Sequence, residues 1–517
     1  MKLESLLSQI AAIQVDGPRE IDIKAIAYDS RLVKPGALFI ALKGEKVDGS
    51  VFIEKAVAAG AAAVLSEPGA VRAAVAESGT GVPPVIAVLS EPGAARAGVT
   101  RITVEDARIA MADLAAAFFQ HAARALKIAG VTGTNGKTTT AFLIKHICEA
   151  AMLRCGLLGT VRYEVGDKVI PAARTTPESL DVHDLLWQMR SAGCKAAAME
   201  VSSHALMQAR VRGVEFDAAV FTNLTQDHLD YHKTMEGYFE AKARLFSGLA
   251  QQTRKKGKAV INFDDRYGSM LAMRFGKEIP VITYGVGVQA DFRASNVRID
   301  FHGTSFQLDA VGKSYFVRLP LIGHFNVYNS LAALAASYAM GVDVRTGVLA
   351  LANARAVPGR LEAVPAQRQF RVFVDYAHTD DALLNVIRTC RELKPARLIV
   401  VFGCGGDRDK TKRPRMGAVV DENADWAIVT SDNPRKEDPI EIIEDIKPGL
   451  KRGAFEVIPD RREAIFKAVT LAEPKDIILI AGKGHETYQE FATHTAPFDD
   501  VAVAREALDA KRTEVFD

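Results

Sequence analysis

Short apolar runs alternate with segments of helical periodicity through the central part of the chain. The runs LKIAGV, KAAAMEV, DAAVFTN, KAVINFD and PVITYG begin at residues 126, 195, 217, 258 and 280. Segments of helical periodicity at residues 139–151 and 180–191 lie between the first run and the second. Strands that alternate with helices of this length are typical of βαβ units. The pattern therefore predicts an α/β core with a mainly parallel sheet.

A strand-rich segment and then a second α/β series follow these central runs. Residues 291–321 are rich in strand-forming side chains, and a helix is predicted at 326–340. After PGRLE, the runs FRVFVDYA, RLIVVFG, WAIVTSD and DIILIAG are each followed by helical pattern. Since 517 residues exceed what one core normally organises, we expect three domains, at residues 1–110, 111–345 and 346–517.

Composition and charge exclude several classes of protein. The chain has 65 Lys and Arg residues against 63 Asp and Glu residues, a net charge of +2. This balance argues against a nucleic-acid binder, which contacts backbone phosphates through an excess of basic side chains. Five cysteines without a C-x-x-C pair are expected to be free thiols in a reducing compartment. No apolar run approaches the ~20 residues that span a bilayer. We expect a cytoplasmic protein without membrane insertion.

Two features of the N-terminal part carry weaker predictions. The segment MKLESLLSQIAAIQ is predicted to form an amphipathic helix and not a signal peptide, because it carries an acid early and no basic start. The sequence AVLSEPGA occurs at residues 63–70 and again at 87–94. Two copies are too few for a solenoid, so we interpret them as a local duplication or an extended surface loop.

The strongest local signal is GVTGTNGKT at residues 130–138, placed between a predicted strand and a predicted helix. Backbone N–H groups of such a turn bind phosphates, Lys137 would reach the β- and γ-phosphates, and Thr138 would ligate Mg²⁺. The segment departs from the strict spacing of this motif, because Val131 stands at the first glycine position. We expect ATP or another nucleoside triphosphate to bind here.

Three polar clusters follow predicted strands in the same region: TTPE at 175–178, EVSSH at 200–204 and NLTQDHLDYH at 223–232. Ligands in open α/β sheets bind beyond the carboxyl ends of the strands. A carboxylate in that place can give Mg²⁺ a second anchor, which makes Glu200 the metal candidate from the residues alone.

In their order, GTNGKT, TTPE, EVSSHAL, NLTQDHLDYH, GHFNVYN, DYAHTDDAL, GCGGDRDKTKRP, TSDNPR and AGKGHE resemble the motifs of the Mur ligases, in particular of their diaminopimelate-adding type. The resemblance covers most of residues 25–490. It implies a UDP-substrate-binding N-terminal domain, a central P-loop ATP-binding domain and a C-terminal Rossmann-like amino-acid-binding domain. We also expect the chain to act as a monomer.

The resemblance assigns roles to individual residues. Lys242 would be carbamylated and would hold Mg²⁺ with Thr138, Glu200 and His228, although helical periodicity alone favours a solvated Lys242. Lys137, Lys242 and His228 would be catalytic. ATP would contact Gly133, Thr134, Asn135, Gly136, Lys137, Thr138, Thr139, Asn326, Arg360, Asp375 and His378. The UDP-linked substrate would contact Ser30, the 45–47 segment, Thr175, Thr176, Ser202, Gln208 and Arg210. The amine would contact Arg408, Asp432, Asn433, Pro434, Arg435, Gly482 and Glu486.

The implied reaction joins meso-2,6-diaminopimelate to UDP-N-acetylmuramoyl-L-alanyl-D-glutamate in peptidoglycan precursor synthesis, through an acyl phosphate made from ATP. Lys137 and Mg²⁺ would neutralise the like charges of carboxylate and triphosphate. Arg435 and Glu486 would pair with the distal carboxylate and ammonium of diaminopimelate, of which lysine lacks the carboxylate. Two alternatives stay open at this point. One is a folylpolyglutamate synthase, against which the DSR segment at residues 29–31 and the DNPR segment at residues 432–435 argue. The other is a non-catalytic nucleotide switch or P-loop motor.

Overall fold

A computed structural model describes residues 1–44, 47–69, 98–287, 289–365 and 369–513. It divides into two compact units. The first comprises Met1–Ile128, Arg154–Asp217 and Gln251–Lys256, and the second comprises Ala129–Leu153, Ala218–Ala250 and Gly257–Asp517. Glu45, Lys46 and the second AVLSEPGA copy lie outside the described residues.

The first unit opens with a five-stranded sheet of order β1-β5-β4-β3-β2, in which only β1 is antiparallel to its neighbour. The predicted N-terminal helix is much shorter than expected, because it ends at Leu7 and the next residues pair with β5, Ala12 opposite Val104. The elements are α1 (Leu3–Leu7), β1 (Ala12–Asp16), β2 (Ala25–Ala27), β3 (Ala37–Ile40), α2 (Ile53–Ala58), β4 (Ala61–Ser66), β5 (Thr100–Val104) and α3 (Ala107–Phe118), with 3₁₀ turns at Ser30–Leu32, Gly49–Phe52 and Ala122–Ala125.

The central segment contains the predicted alternation of strands and helices. Its elements are β6 (Lys127–Thr132), α4 (Lys137–Ala150), β7 (Cys155–Leu158), β8 (Arg162–Val165), β9 (Lys168–Pro171), α5 (Ser179–Ser191), β10 (Ala196–Glu200), α6 (Ser203–Met207), β11 (Ala218–Phe221), α7 (Leu229–His232), α8 (Met235–Ala250), β12 (Lys258–Asn262), α9 (Arg266–Phe275), β13 (Val281–Gly285), β14 (Phe292–Asp300), β15 (Gly303–Ala310), β16 (Lys313–Leu319) and α10 (His324–Ala339).

Strand pairing within each unit follows the prediction of a mainly parallel sheet. In the second unit, β6, β11, β12, β13 and the start of β14 pair in parallel, and β14, β15 and β16 form an antiparallel meander. In the first unit, β7 is parallel to β10, while β8 and β9 add an antiparallel edge. Since β10 ends at Glu200 and β11 at Phe221, EVSSH and NLTQDHLDYH follow parallel strands as predicted, whereas TTPE follows β9 of the antiparallel edge, which ends at Pro171.

The C-terminal elements form a six-stranded sheet of order β17-β18-β22-β19-β20-β21, parallel except for β17. Apolar clusters cover both faces of this sheet, as the continuous Val, Ile and Leu runs predict. The elements are α11 (Val344–Leu351), β17 (Glu362–Val364), β18 (Arg371–Asp375), α12 (Asp380–Glu392), β19 (Leu398–Phe402), α13 (Lys412–Asn423), β20 (Trp426–Val429), α14 (Pro439–Ile446), the 3₁₀ turn Lys447–Gly449, β21 (Phe455–Val457), α15 (Arg461–Leu471), β22 (Ile477–Ala481), β23 (Tyr488–Glu490), β24 (Thr495–Pro497) and α16 (Asp500–Thr513).

The α/β class with three sheet-based parts is confirmed. All five cysteines are buried free thiols, as expected from their spacing. Within the described residues, no helix combines the length and the apolar character needed to cross a bilayer.

Candidate active site

A glycine turn joins β6 to α4 in the second unit. Gly133 and Gly136 have φ angles of 148° and 84°. A Cβ on Gly133 would lie 1.8 Å from the Thr222 hydroxyl oxygen, and one on Gly136 would lie 2.4 Å from Oδ1 of Asn329. Both positions therefore require glycine, and the bare backbone at the start of a 14-residue helix is suited to bind phosphate.

Two lysines converge on this turn. Lys137 donates from Nζ to the carbonyls of Gly133 at 3.0 Å and Thr134 at 2.7 Å. Lys242 also donates to the Gly133 carbonyl, at 2.8 Å, and its Nζ lies 4.4 Å from the ring centre of Tyr238. Lys242 is 1% exposed. The solvated position that the sequence alone favours for Lys242 is therefore wrong. The carbamate and metal roles that the resemblance implies for Lys242 stay predictions.

The charges around Lys242 perturb its protonation. Burial lowers the pKa of Lys242 well below its usual value, and the like charge of Lys137 lowers it further, against the opposing effect of Asp227. Burial alone would raise the pKa of Asp227, but the nearby His228, His378 and Lys137 bring it below its usual value. Burial and the charge of Lys137 both favour the neutral amine form of Lys242 over the ammonium.

Asp227 was not among the predicted site residues. Its carboxylate accepts a hydrogen bond from the backbone N–H of His228 at 2.8 Å and lies 3.5 Å from Nε2 of that residue. The signal was present in the sequence, because Asp227 directly precedes His228 in the NLTQDHLDYH run. Both residues belong to the second unit together with Lys137 and Lys242.

Residues of the C-terminal segment approach the same turn. Nη2 of Arg360 donates to the Thr138 hydroxyl at 3.1 Å, and its guanidinium lies 4.8 Å from the ring centre of Tyr376. Burial and the nearby Lys412 lower the pKa of His378. Arg360 thus places a permanent cation beside the hydroxyl that is predicted to ligate Mg²⁺.

Asp375 and Asn326 support the site through other residues. The Asp375 carboxylate accepts hydrogen bonds from the backbone N–H groups of Leu361 at 2.6 Å and Ala377 at 2.8 Å, and burial raises its pKa. Asn326 donates to the Ile322 carbonyl and accepts from Asn329 at 3.0 Å. Asn326 thus reaches the glycine turn through Asn329, which faces Gly136.

The predicted amine pocket centres on Asn433, in the loop that follows β20 of the C-terminal sheet. Its Nδ2 donates to Glu486 at 2.7 Å, and its Oδ1 accepts from Nζ of Lys483 at 3.0 Å. Lys483 is completely buried and also bonds Glu486 at 3.1 Å. Sequence reasoning missed Lys483, although it lies inside the AGKGHE motif beside the predicted Gly482.

Arg435 lies on the other side of Asn433 and is also already paired. Its backbone has a φ of 53°, its Nε donates to Glu490 at 2.9 Å, and its Nη1 donates to the Gly406 carbonyl at 2.9 Å. The backbone N–H of Glu490 donates to Oδ1 of Asn433 at 3.0 Å. The pocket therefore presents two carboxylates, Glu486 and Glu490, each against a cation.

The remaining predicted amine contacts lie around the same loops. Gly482 has a φ of 119°, and a Cβ there would lie 2.4 Å from Oδ2 of Asp432. The carbonyl of Pro434 packs against Gly406. Arg408 is exposed and donates to the neighbouring Asp407 carbonyl at 3.1 Å. The structure thus joins Asp432, Gly482 and Asn433 closely and leaves Arg408 at the surface.

In the first unit, Glu178 is surrounded by three arginines. Arg108, Arg174 and Arg210 approach its carboxylate to 3.2, 2.6 and 3.0 Å. Among the described residues, Nε of the buried Arg210 finds no hydrogen-bond partner. Three guanidiniums against one carboxylate leave an excess of positive charge, which suits an anionic ligand. Glu178 and Arg108 were not among the predicted site residues.

Four of the predicted substrate residues of the first unit, Thr176, Ser202, Gln208 and Arg210, form one network around Thr176. Its hydroxyl donates to the Glu200 carbonyl at 2.8 Å and accepts from the backbone N–H of Ser202 at 3.1 Å, while Arg210 donates to its carbonyl at 2.9 Å. Arg210 also donates to Gln208 at 2.6 Å.

Glu200, the metal candidate, holds a neighbouring loop. Its carboxylate accepts from the backbone N–H of Thr160 at 2.7 Å, and the Thr160 hydroxyl lies 3.0 Å from that of Thr175. Ser30 is buried in the Ser30–Leu32 turn, which Asp29 caps. Glu200 lies in the first unit, whereas Thr138, His228 and Lys242 lie in the second, and a shared metal role for them stays a prediction.

Three segments of the chain match models of known protein families. Residues 22–119 match the model of the Mur ligase family catalytic domain, residues 131–337 that of the Mur ligase middle domain, and residues 359–484 that of the Mur ligase glutamate ligase domain. The three matches correspond to the three sheet-based parts of the chain.

Full-length relatives agree with these matches. The UDP-N-acetylmuramoyl-L-alanyl-D-glutamate–2,6-diaminopimelate ligase of Geobacillus kaustophilus is 46% identical, with 98% of this chain and 99% of that protein covered. The ligase of the same name from Geobacillus thermodenitrificans is 44% identical, with 99% and 100% covered. A solved structure of a ligase of this name has a TM-score of 0.67 at 34% identity, with 99% of both chains covered. The chain belongs to the Mur ligase family.

Proposed function

We propose that this chain is an ATP-dependent ligase that joins meso-2,6-diaminopimelate to UDP-N-acetylmuramoyl-L-alanyl-D-glutamate in peptidoglycan precursor synthesis. The observation that carries the proposal is the convergence of Lys137, Lys242 and Arg360 on the glycine turn, in a chain 46% identical to a ligase of that name over its whole length. An acyl phosphate on the dipeptide is the intermediate that this family of reactions requires, because a free carboxylate is a poor acyl donor.

The residues present fit a triphosphate and a hard cation. The glycine turn and the α4 N-terminus supply N–H groups for phosphate, and Lys137 is within reach of the turn's carbonyls, a position from which it can turn to a phosphate. Thr138 offers a hydroxyl oxygen, the ligand type that Mg²⁺ prefers. Mg²⁺ would neutralise part of the charge that builds up on the transferred phosphoryl group. Glu200 and His228 are proposed as further residues on the metal side.

Carbamylation of Lys242 follows from its surroundings as part of the same proposal. Only a neutral amine attacks CO₂, and burial, which lowers the pKa of Lys242, favours that form. A new N–C bond forms to CO₂ and one amine proton is released to solvent, so that the carbamate would keep one N–H for the Gly133 carbonyl and carry a negative charge beside Lys137. The like charge that disfavours a Lys242 ammonium would then become the partner of the modified side chain.

The chain's own groups have distinct tasks in the proposed reaction. Lys137 and Arg360 stabilise negative charge at the glycine turn. In the first unit, the arginines around Glu178 bind the acidic UDP-linked dipeptide together with Thr175, Thr176, Ser202 and Gln208. In the C-terminal segment, the pocket around Asn433 holds diaminopimelate by its two charged ends, with Arg435 for the carboxylate and Glu486 for the ammonium. The division at residues 1–110, 111–345 and 346–517, a monomeric state and a cytoplasmic location complete the proposal.

The test is phosphate release from ATP with each substrate omitted in turn. We expect release only when both the UDP-linked dipeptide and diaminopimelate are present, with a tripeptide product of the matching mass. Release that requires folate and glutamate would establish the folylpolyglutamate synthase alternative instead. Release that is independent of any amine or dipeptide would establish a nucleotide switch or motor.

A further inference from the structure

One carboxylate oxygen ties the start of α12 to two loops of the P-loop region. Oδ2 of Asp381 accepts a hydrogen bond from Nδ2 of Asn135 at 3.0 Å and another from the Thr225 hydroxyl at 3.0 Å. Asn135 lies in the glycine turn after β6, and Thr225 lies in the loop after β11. Three segments far apart in the sequence therefore meet at a single atom of the C-terminal part.

The two residues that Asp381 binds are themselves rigidly held. The backbone N–H of Asn135 donates to Oδ1 of Asn223 at 2.9 Å, and its carbonyl accepts from the Thr222 hydroxyl at 2.6 Å. The backbone N–H of Thr225 donates to the Thr134 hydroxyl at 3.0 Å. Asp381 therefore contacts the side chains of two residues whose backbones are hydrogen-bonded in place.

On its other side, Asp381 belongs to the segment that carries two predicted nucleotide residues. Helix α12 begins after Thr379, whose side chain caps it, and Asp375 and His378 lie immediately before it. A carboxylate in the first turn also interacts favourably with the helix dipole. Asp381 touches neither Lys137 nor the amine pocket in any hydrogen bond described above, so its effect on the reaction would be through position.

We propose that Asp381 is a positioning residue that holds the 375–381 segment at a fixed position relative to the glycine turn. This inference rests on the proposed ligase function. The acyl phosphate is made at the glycine turn, whereas the amine is bound by residues of the C-terminal segment. The two reactants meet only if the two parts keep a fixed distance. Displacements of about an ångström at a reacting centre cost up to about 100-fold in rate.

Asp381→Ala tests the proposal by steady-state kinetics with both substrates. We expect kcat to fall by about 10- to 100-fold, with the KM for ATP and the thermal unfolding midpoint close to those of the unmutated protein. Asp381→Asn keeps an oxygen that can accept both hydrogen bonds, and it should restore most of the rate. A merely structural role predicts instead a lower unfolding midpoint in Asp381→Ala, with a loss of activity that follows the loss of folded protein.

Thr225→Val and Asp380→Ala complete the design. Thr225→Val removes one of the two hydrogen bonds and should lower kcat less than Asp381→Ala does, and the two changes together should cost less than the product of their separate effects. Asp380 carries the same charge one residue earlier, lies 3.5 Å from Arg415 of α13, and its alanine variant should behave like the unmutated enzyme. Unchanged kcat in Asp381→Ala, in an unmutated enzyme that is an active ligase, would overturn the positioning role. Absence of ligase activity in the unmutated protein would instead overturn the proposed function.

Discussion

Nζ of Lys242 and Nζ of Lys137 both bond the same carbonyl oxygen, that of Gly133, at 2.8 and 3.0 Å. Two ammonium groups on one acceptor repel each other, and Lys242 is the more buried of the two. Its pKa is accordingly lowered by burial first and by Lys137 second. The lowered pKa favours the neutral amine of Lys242, which is the form that can react with CO₂.

Replacement of Lys242 should nearly abolish ligation. Lys242→Ala removes the carbamate oxygens, and small carboxylates added to the buffer should restore part of the activity because they supply the missing negative charge. The intact mass of the unmutated protein in bicarbonate buffer should exceed the sequence mass by one CO₂. Lys277→Ala, at an exposed lysine, serves as the control and should leave both readouts unchanged. A fully active Lys242→Ala variant would refute the carbamate.

Replacement of Lys137 should remove turnover without unfolding the protein. Lys137→Ala deletes the cation that opposes the charge on the transferred phosphoryl group, and a loss of about 10³-fold or more in kcat matches the effect of losing one such stabilising group. Circular dichroism and the thermal unfolding midpoint should stay near those of the unmutated protein. Amide formation at a near-normal rate would contradict the role of the glycine turn in catalysis.

Arg435 should decide the choice of amine. It now bonds Glu490 at 2.9 Å, and a distal carboxylate of diaminopimelate gains charge-assisted hydrogen bonds of about 1.5–3 kcal/mol when it takes this guanidinium. Arg435→Ala should raise the KM for diaminopimelate by about 10- to 100-fold, since ~1.4 kcal/mol is a factor of ten. The KM values for ATP and for the UDP-linked dipeptide should barely move.

Lysine is the matched control substrate, because it lacks the distal carboxylate. The unmutated enzyme should prefer diaminopimelate over lysine by well over tenfold, and Arg435→Ala should remove most of that preference. Equal use of lysine by the unmutated enzyme would disprove the diaminopimelate assignment and leave the ligase assignment intact. Equal losses for all three substrates in Arg435→Ala would mean that the residue acts through stability.

A buried histidine should make stability depend on pH. Burial lowers the pKa of His183 to about 4, and its Nε2 lies 2.9 Å from the Arg212 carbonyl. The unfolded chain takes up a proton near the ordinary value of about 6.5, whereas the folded chain does so only near 4. The contribution of the neutral His183 to the free energy of unfolding is therefore fully present above about pH 6.5. It is lost as the pH falls toward 4, by up to about 1.4 kcal/mol per pH unit. Unfolding midpoints of His183→Gln between pH 4 and 7 should show a smaller slope than those of the unmutated protein, and His302→Gln, at an exposed histidine, should not.

The fold was largely predictable because its signals are local. The strand runs beginning at 126, 217 and 258 and the helix after the glycine turn are each encoded by consecutive residues, and their observed bounds, such as Lys137–Ala150, differ little from the predicted ones. The N-terminal helix was mispredicted because strand β1 forms through pairing with β5, some 90 residues away. That pairing has no signature in residues 1–14.

The residues of the site could be predicted where they lie in a sequence motif. They could not be predicted where only a tertiary contact brings them to the site. Lys242 looks like a surface residue of α8 until β6 is placed against it. Glu490 and Asp381 have ordinary sequence contexts, and only folding brings them to Arg435 at 2.9 Å and to Asn135 at 3.0 Å. Single-residue chemistry can be read from the sequence, whereas the partner that modifies that chemistry is fixed by the fold.

A buried ion pair beneath the amine pocket should be a strong determinant of stability. Arg461 and Asp500 are fully buried and bonded twice, at 2.8 and 2.7 Å, and Arg461 also donates to the Ala481 carbonyl at 3.0 Å. Arg461→Ala leaves the Asp500 charge buried without its partner, which costs about 3–5 kcal/mol. The adjacent Arg462 pairs with Glu506 at the surface, both about half exposed, so Arg462→Ala should cost at most ~1 kcal/mol. Urea unfolding, followed by the fluorescence of Trp426 on β20 of the C-terminal sheet, measures the free energy of unfolding of both variants. A difference of less than about 1 kcal/mol between them would show that the buried pair is replaceable by solvent or rearrangement.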